Sequence, residues 1–121
     1  MPKVRHPDRP GAHLRIVLEG RPILGPGRAD LLQGIAETGS IAAAGRRMRM
    51  SYARAWNLAE ELNTQFRAPL IDAAKGGAGG GGARLTPLGE KMLAAYRDME
   101  AKTAAAISEE LAAVRRALRR T

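Results

Sequence analysis

The apolar positions change period several times along the chain, and each change marks an element. Leu14, Ile16 and Leu18 alternate with His13, Arg15 and Glu19, the period of a half-buried strand that Val17 alone interrupts. Two prolines and three glycines between Gly20 and Gly27 then end the strand and deliver the chain to a helix. Leu31, Leu32, Ile35 and Ala36 fall on one face of that helix, which is predicted over about Arg28 to Glu37 with Gly39 as its stop. Ser40 is placed to cap a short second helix whose apolar stripe is Ile41, Ala44 and Met48. After a turn at Arg49 and Met50, Ser51 caps a third helix from Tyr52 to about Phe66, with Ala55, Leu58, Ala59 and Leu62 pointing inward. Two helices joined so tightly form a helix-turn-helix, and the small Ala44 and Gly45 let the third helix cross closely over the second.

Leu70–Ile71 and Arg84–Leu85 are short strand candidates around a glycine-heavy stretch, so they predict a hairpin wing directly behind the helix-turn-helix. Thr86 and Pro87 make an N-cap and first-turn pair that opens a long helix to about Arg119. Roughly 30 residues at 1.5 Å each span ~45 Å, whereas a compact chain of this size is ~35 Å across. The helix must overhang its own domain, yet Met92, Tyr96, Met99, Thr103, Ile107, Leu111, Val114 and Leu118 continue its stripe to the end. An overhanging stripe needs a partner, and a second copy of the chain is the simplest one. A homodimer is therefore expected, against the alternative that the distal half frays in solution. The fold class is mainly α with a small β-hairpin wing: residues 1–12 form a basic tail, 13–87 a winged helix-turn-helix domain and 88–121 a long dimerisation helix.

Composition narrows the function. A chain of 121 residues has room for one core. Twenty Lys and Arg against twelve Asp and Glu leave a formal charge of +8, which calls for a polyanionic partner, most commonly nucleic acid. The absence of cysteine excludes disulfides, zinc fingers and thiol catalysis. No apolar run reaches a membrane span and no signal peptide opens the sequence, so a cytoplasmic, nucleoid-associated protein is expected.

The distribution of charge says more than its sum. No acid occurs from Thr38 to Ala59, a run that holds the helix-turn-helix with Arg46, Arg47, Arg49 and Arg54. A second acid-free run, Ala73 to Gly89, covers the wing with Lys75 and Arg84. Phosphate contact requires such stretches; the competing reading is that the arginines only solvate a helix end. The third helix presents Tyr52, Ala53, Arg54, Trp56, Asn57 and Glu60 away from its core stripe. Arginine can grip guanine and asparagine adenine through two bonds, and Ala53 permits close approach. Ser40 and Ser51 open helices whose first N–H groups can meet phosphate. Trp56 suits either a base contact or the rim of the core. Gly79 and Gly80, at the wing tip, would bring bare backbone to DNA, unless the run is only a linker. Gly77-x-Gly79-x-x-Gly82 mimics a dinucleotide motif, but no helix opens at its last glycine. His6 and His13 show no metal spacing, and Ser40, Ser51 and Thr86 are explained as caps. Neither an enzyme nor a cofactor is expected.

The segments Glu37-Thr-Gly-Ser-Ile-Ala-Ala-Ala and Met50-Ser-Tyr-Ala-Arg-Ala-Trp-Asn57, with the wing Lys75 to Gly89, resemble the winged helix-turn-helix of ModE-type molybdate-responsive regulators over roughly Leu14 to Glu100. More distantly, the chain resembles the DNA-binding domain of LysR-type regulators. The resemblance implies a dimeric, sequence-specific regulator that binds double-stranded DNA at a palindrome. Tyr52, Ala53, Arg54, Trp56 and Asn57 would face bases, and the long helix with the N-terminal segment would build the dimer. Molybdate-sensing members carry further C-terminal barrel domains, so no molybdate site is expected within this chain. The alternative from another class is a basic helical interaction module that modulates another regulator.

Overall fold

A computed structural model describes residues 11–74 and 82–120. Most of the basic tail and the wing tip with Lys75, Gly79 and Gly80 lie outside the described residues. The elements in order are β1 (Ile16–Leu18), β2 (Arg21–Leu24), α1 (Pro26–Thr38), α2 (Ile41–Arg47), α3 (Tyr52–Gln65), β3 (Ile71–Ala73), β4 (Ala83–Leu85), α4 (Pro87–Ala106) and α5 (Ser108–Ala117). The strands form two separate antiparallel pairs, β1 with β2 and β3 with β4. This is a mainly α winged helix-turn-helix.

One strand was not expected. β2 occupies the stretch read as a connector, because Glu19 and Gly20 both take positive φ (52° and 75°) and close a two-residue turn with Leu18 opposite Arg21. The pairing slips between Ile16 and Val17, and this irregularity is the physical counterpart of the broken alternation at Val17. α1 begins earlier than expected, with Gly25 as cap and Pro26 in the first turn. Within it Ala36 is exposed, and Ala29 takes an inward place instead.

The core is mainly aliphatic, built around Leu31, Leu32, Ile35, Leu62 and Leu70, with the aromatic Tyr96 fully buried among them. Its helices meet at close range. A methyl on Gly34 would lie 2.8 Å from the Ala44 Cβ, and one on Gly45 would lie 2.8 Å from the Ala55 Cβ. At α4, a Cβ on Gly89 would fall 2.1 Å from the Leu70 carbonyl oxygen. Polar clamps hold the joints between elements. The Asn63 amide oxygen accepts from the N–H groups of Leu70 and Ile71, both at 2.9 Å, while its nitrogen donates to the Ile71 carbonyl at 3.0 Å. The Arg28 guanidinium donates to Glu61 at 2.8 Å and to Gln65 at 3.2 Å, tying α1 to α3. Arg97 on α4 reaches Asp30 on α1 at 3.1 Å and Glu100 at 2.9 Å. Burial alone would lower the Arg97 pKa, but the hydrogen bonds and charges of Glu100 and Asp30 together outweigh it and raise it.

Two expectations about the C-terminal helix are corrected. Tyr96, placed in a dimer seam, is 0% exposed within its own chain and donates from its hydroxyl to the Leu14 carbonyl at 2.6 Å. Its neighbours Met92 and Met99 also pack partly against the same core. The single long helix is interrupted at Ile107 (φ −105°, ψ 12°), which separates α4 from α5. The following Ser108 hydroxyl donates to the Ala105 carbonyl at 3.2 Å, a local bond of the kind that bends helices. No residue of α5 is buried, Val114 is 57% exposed, and the helix ends at Ala117 rather than Arg119, leaving Leu118 in extended backbone at 65% exposure.

Because the atom facing Gly89 is a backbone oxygen that cannot rotate away, Gly89→Ala should destabilise the fold by ~2 kcal/mol or more. Urea unfolding followed by circular dichroism checks this, and an unchanged midpoint would contradict the packing described.

Candidate nucleic-acid interface

The local sequence sets α3 in place from both ends. Ser51 accepts the Arg54 N–H at 3.1 Å, as Ser40 accepts that of Ala43 on α2 and Thr86 that of Gly89 on α4. Each cap satisfies one donor and leaves others of the first turn without an intrahelical acceptor. α2 ends by a paired bond pattern in which Met50 N–H donates to Gly45 and Arg49 N–H to Arg46, both at 3.0 Å. That termination requires a left-handed residue, and Arg49 supplies it with φ 58°.

Ala55, Leu58, Ala59 and Leu62 face the core, leaving Tyr52, Ala53, Arg54, Asn57 and Glu60 exposed along the other side of α3. Trp56 lies between these two sets. Its ring packs partly against the core and meets Tyr52 edge-to-face at 6.0 Å between centroids. Its indole N–H is buried without a hydrogen-bond partner, so packing alone holds the ring there. Arg46 and Arg49 are exposed, and among the described residues no carboxylate pairs with them or with Arg54. Arg47 differs, since Glu37 from the end of α1 reaches it at 2.6 Å.

The wing ladder runs Ile71 opposite Leu85, Asp72 opposite Arg84 and Ala73 opposite Ala83. Arg84 and Asp72 stand 3.5 Å apart, both exposed, where water leaves such a pair little net attraction. The ladder is pinned to the helices: Ala83 N–H donates to the Gly39 carbonyl at 2.9 Å, and Gly39 holds the left-handed end of α1 (φ 74°). The α1–α2 turn is thus bonded directly to β4, so the wing base and the helix-turn-helix share one frame.

The structure gathers Arg46, Arg49, Ser51 and the exposed side of α3 around the α2–α3 turn. Two arginines had drawn no attention in the sequence. Arg15, before β1, and Arg28, on α1, border the same turn as Arg49 and Arg54. Neither lies in an acid-free run or on the helix-turn-helix, and only the hairpin at β2 brings Arg15 there.

A trihelical packing with a pinned ladder behind it defines a winged helix-turn-helix domain of the regulatory type. The chain belongs to the bacterial regulatory helix-turn-helix proteins of the lysR family, whose pattern it matches over residues 28–90. The relationship to ModE-type proteins also holds. Over 85 residues the chain is 47% identical to the molybdenum-pterin-binding protein MopB of Rhodobacter capsulatus, covering 70% of this chain and 32% of that protein. It is 39% identical over 83 residues to the transcriptional regulator ModE of Yersinia pestis, covering 69% and 32%. It is 36% identical over 83 residues to the DNA-binding transcriptional dual regulator ModE of Escherichia coli K12, again covering 69% and 32%. The match thus spans about a third of the length of these relatives. The family is one of regulators rather than of enzymes.

A non-glycine residue in the left-handed region carries strain that glycine avoids. Arg49→Gly should therefore raise stability by ~0.5–1 kcal/mol, read as a higher urea midpoint at unchanged slope; a lower midpoint would place an unrecognised stabilising contact on the Arg49 side chain.

Proposed function

We propose that the chain is a sequence-specific DNA-binding transcriptional regulator that acts as a homodimer on a palindromic operator. The observation that carries this reading is the exposed side of α3, where Arg54 and Asn57 stand beside small Ala53 at a capped helix end with unpaired arginines around it. Arg54 and Asn57 suit the bidentate readout of guanine and adenine, with Tyr52 and Trp56 beside them. Ser40, Arg46, Arg49 and Ser51 serve phosphates, and Lys75, Gly79, Gly80 and Arg84 of the wing lie along the backbone or minor groove. The Escherichia coli relative is a DNA-binding transcriptional dual regulator, which supports the same class for this chain. Among the described residues no helix is long and apolar enough to cross a membrane.

The dimer reading is supported by surface left uncovered. No residue of α5 is fully buried in its own chain, while Ile107, Leu111 and Val114 continue the α4 stripe beyond the core and Leu118 stands exposed just past the helix end. At the other end of that stripe, a groove of about 400 Å³ lined by Leu18, Ile23, Phe66, Leu88 and Met92 lies between the β1–β2 hairpin and α4. Leu18 and Val17 are exposed beside it. A second copy would cover both surfaces and set the two α3 helices ~34 Å apart, one turn of DNA.

Fluorescence anisotropy on a random duplex and on the DNA upstream of the chain's own gene, across a salt series, tests the DNA reading. Binding should weaken log-linearly with salt on both and persist longest on the upstream DNA. Arg54→Ala should remove that preference, whereas Arg46→Ala, which takes one phosphate contact from each half of the dimer, should weaken both duplexes alike and shrink the salt slope by about 1.8. No binding at low salt would overturn the proposal and favour the interaction-module alternative.

For the dimer, Leu111→Glu sets a charge in the proposed seam without touching the monomer core. Sedimentation equilibrium should then show monomers that retain their helix content, and a variant that stays dimeric would refute an α5 seam.

A further inference from the structure

Between the β1–β2 hairpin, the start of α1 and the α2–α3 turn lies a cavity of about 500 Å³. Five guanidinium side chains border it, those of Arg15, Arg28, Arg47, Arg49 and Arg54, against the single carboxylate of Asp30. Asp30 is engaged with Arg97. Arg28 and Arg47 have Glu61 and Glu37 as partners, whereas among the described residues no carboxylate pairs with Arg15, Arg49 or Arg54. Three uncompensated positive charges therefore share one concave space. α1 opens into the same space with Gly25 as its cap and no side chain bonded to its first turn, where α2, α3 and α4 each have a serine or threonine. The positive end of its dipole adds to the field.

The remaining wall is apolar, with Leu24, Met50 and Leu58 facing the cavity. A DNA backbone contact needs neither depth nor an apolar wall. A bare oxyanion leaves most of such a volume empty, whereas pockets for small organic ligands start at roughly 300 Å³.

We propose that this cavity binds a small phosphate ester of mononucleotide size. Its phosphate is held by Arg15, Arg49, Arg54 and the α1 N-terminus, and its planar body lies on Leu24, Met50 and Leu58. Arg49 and Arg54 are also the residues given to DNA above. An occupied cavity therefore opposes DNA binding, and DNA opposes occupation by the same factor. This coupling rests on the DNA reading; the binding itself does not.

Isothermal titration of AMP into the full chain, at ionic strength fixed with sodium chloride, tests the site. AMP should bind saturably with one site per chain, with inorganic phosphate and adenosine each binding more weakly. Arg15→Glu alters an exposed side chain outside the proposed DNA contacts and should weaken AMP about tenfold or more, while Arg15→Lys restores part of the affinity. Thermal melts of both variants without ligand verify that they fold, and Arg15→Ala replaces the glutamate variant if that one does not. No saturable binding of AMP or phosphate, or equal AMP affinity in wild type and the glutamate variant, would overturn the proposal. In anisotropy, saturating AMP should weaken duplex binding by wild type more than by Arg15→Glu. AMP binding that leaves duplex affinity unchanged overturns the coupling alone. A ligand-free protein that binds AMP but no DNA supports the cavity site and overturns the DNA function.

Discussion

The closeness of two helix crossings governs the rest of the molecule. Gly34 against Ala44 and Gly45 against Ala55 leave no room for even one further methyl, so α1, α2 and α3 are held at the separation that two small residues allow. Protein interiors resist such additions because their packing is already dense. The orientation of α3, and with it every exposed side chain from Tyr52 to Glu60, follows from that separation. Alanine and glycine at these two crossings suit the arrangement, since a bulkier side chain there would force the helices apart, while Tyr96 fills the core away from them.

Polar groups act at the joints rather than in the core, where no charged or polar residue is buried among the described residues. Asn63 holds the turn from α3 into the wing, Arg28 ties α1 to α3, and the Asp30–Arg97 pair brings α4 back to α1. A joint made by a directed bond fixes an angle as well as a distance. These bonds complement the nonspecific packing of the core.

What was legible in the sequence was local. Ser40, Ser51 and Thr86 occupy the cap positions their spacing implies, and Ala55, Leu58, Ala59 and Leu62 face inward, because caps and stripes depend only on neighbours within a few residues. β2 escaped notice because Glu-Gly lacks the asparagine or aspartate that usually signals a two-residue hairpin turn. Tyr96 was misplaced because a helical stripe does not say which length of it turns to its own domain; the Leu14 carbonyl that receives its hydroxyl is 82 residues away. The interruption falls at Ile107, inside a stripe whose apolar spacing runs on unbroken, so periodicity gives no sign of it. The grouping of Arg15 and Arg28 with Arg49 and Arg54 needs the hairpin, α1 and the α2–α3 turn together, and no periodicity in one segment encodes it.

The bond from Ala83 to Gly39 also bears on how this domain can vary over generations. Inside it, Ala74 N–H donates to the Gly82 carbonyl at 2.8 Å, so the ladder is closed on its own account before residue 75 begins. Lengthening a loop between fixed ends adds only about 0.6 kcal/mol for each doubling. Insertions or deletions between residues 74 and 82 therefore leave the α3 frame where it is, while the same change between Gly39 and Ile41 would shift both α2 and the bond that anchors β4. As far as folding goes, lineages carrying this domain can alter the length of the first segment at little cost and must keep the second.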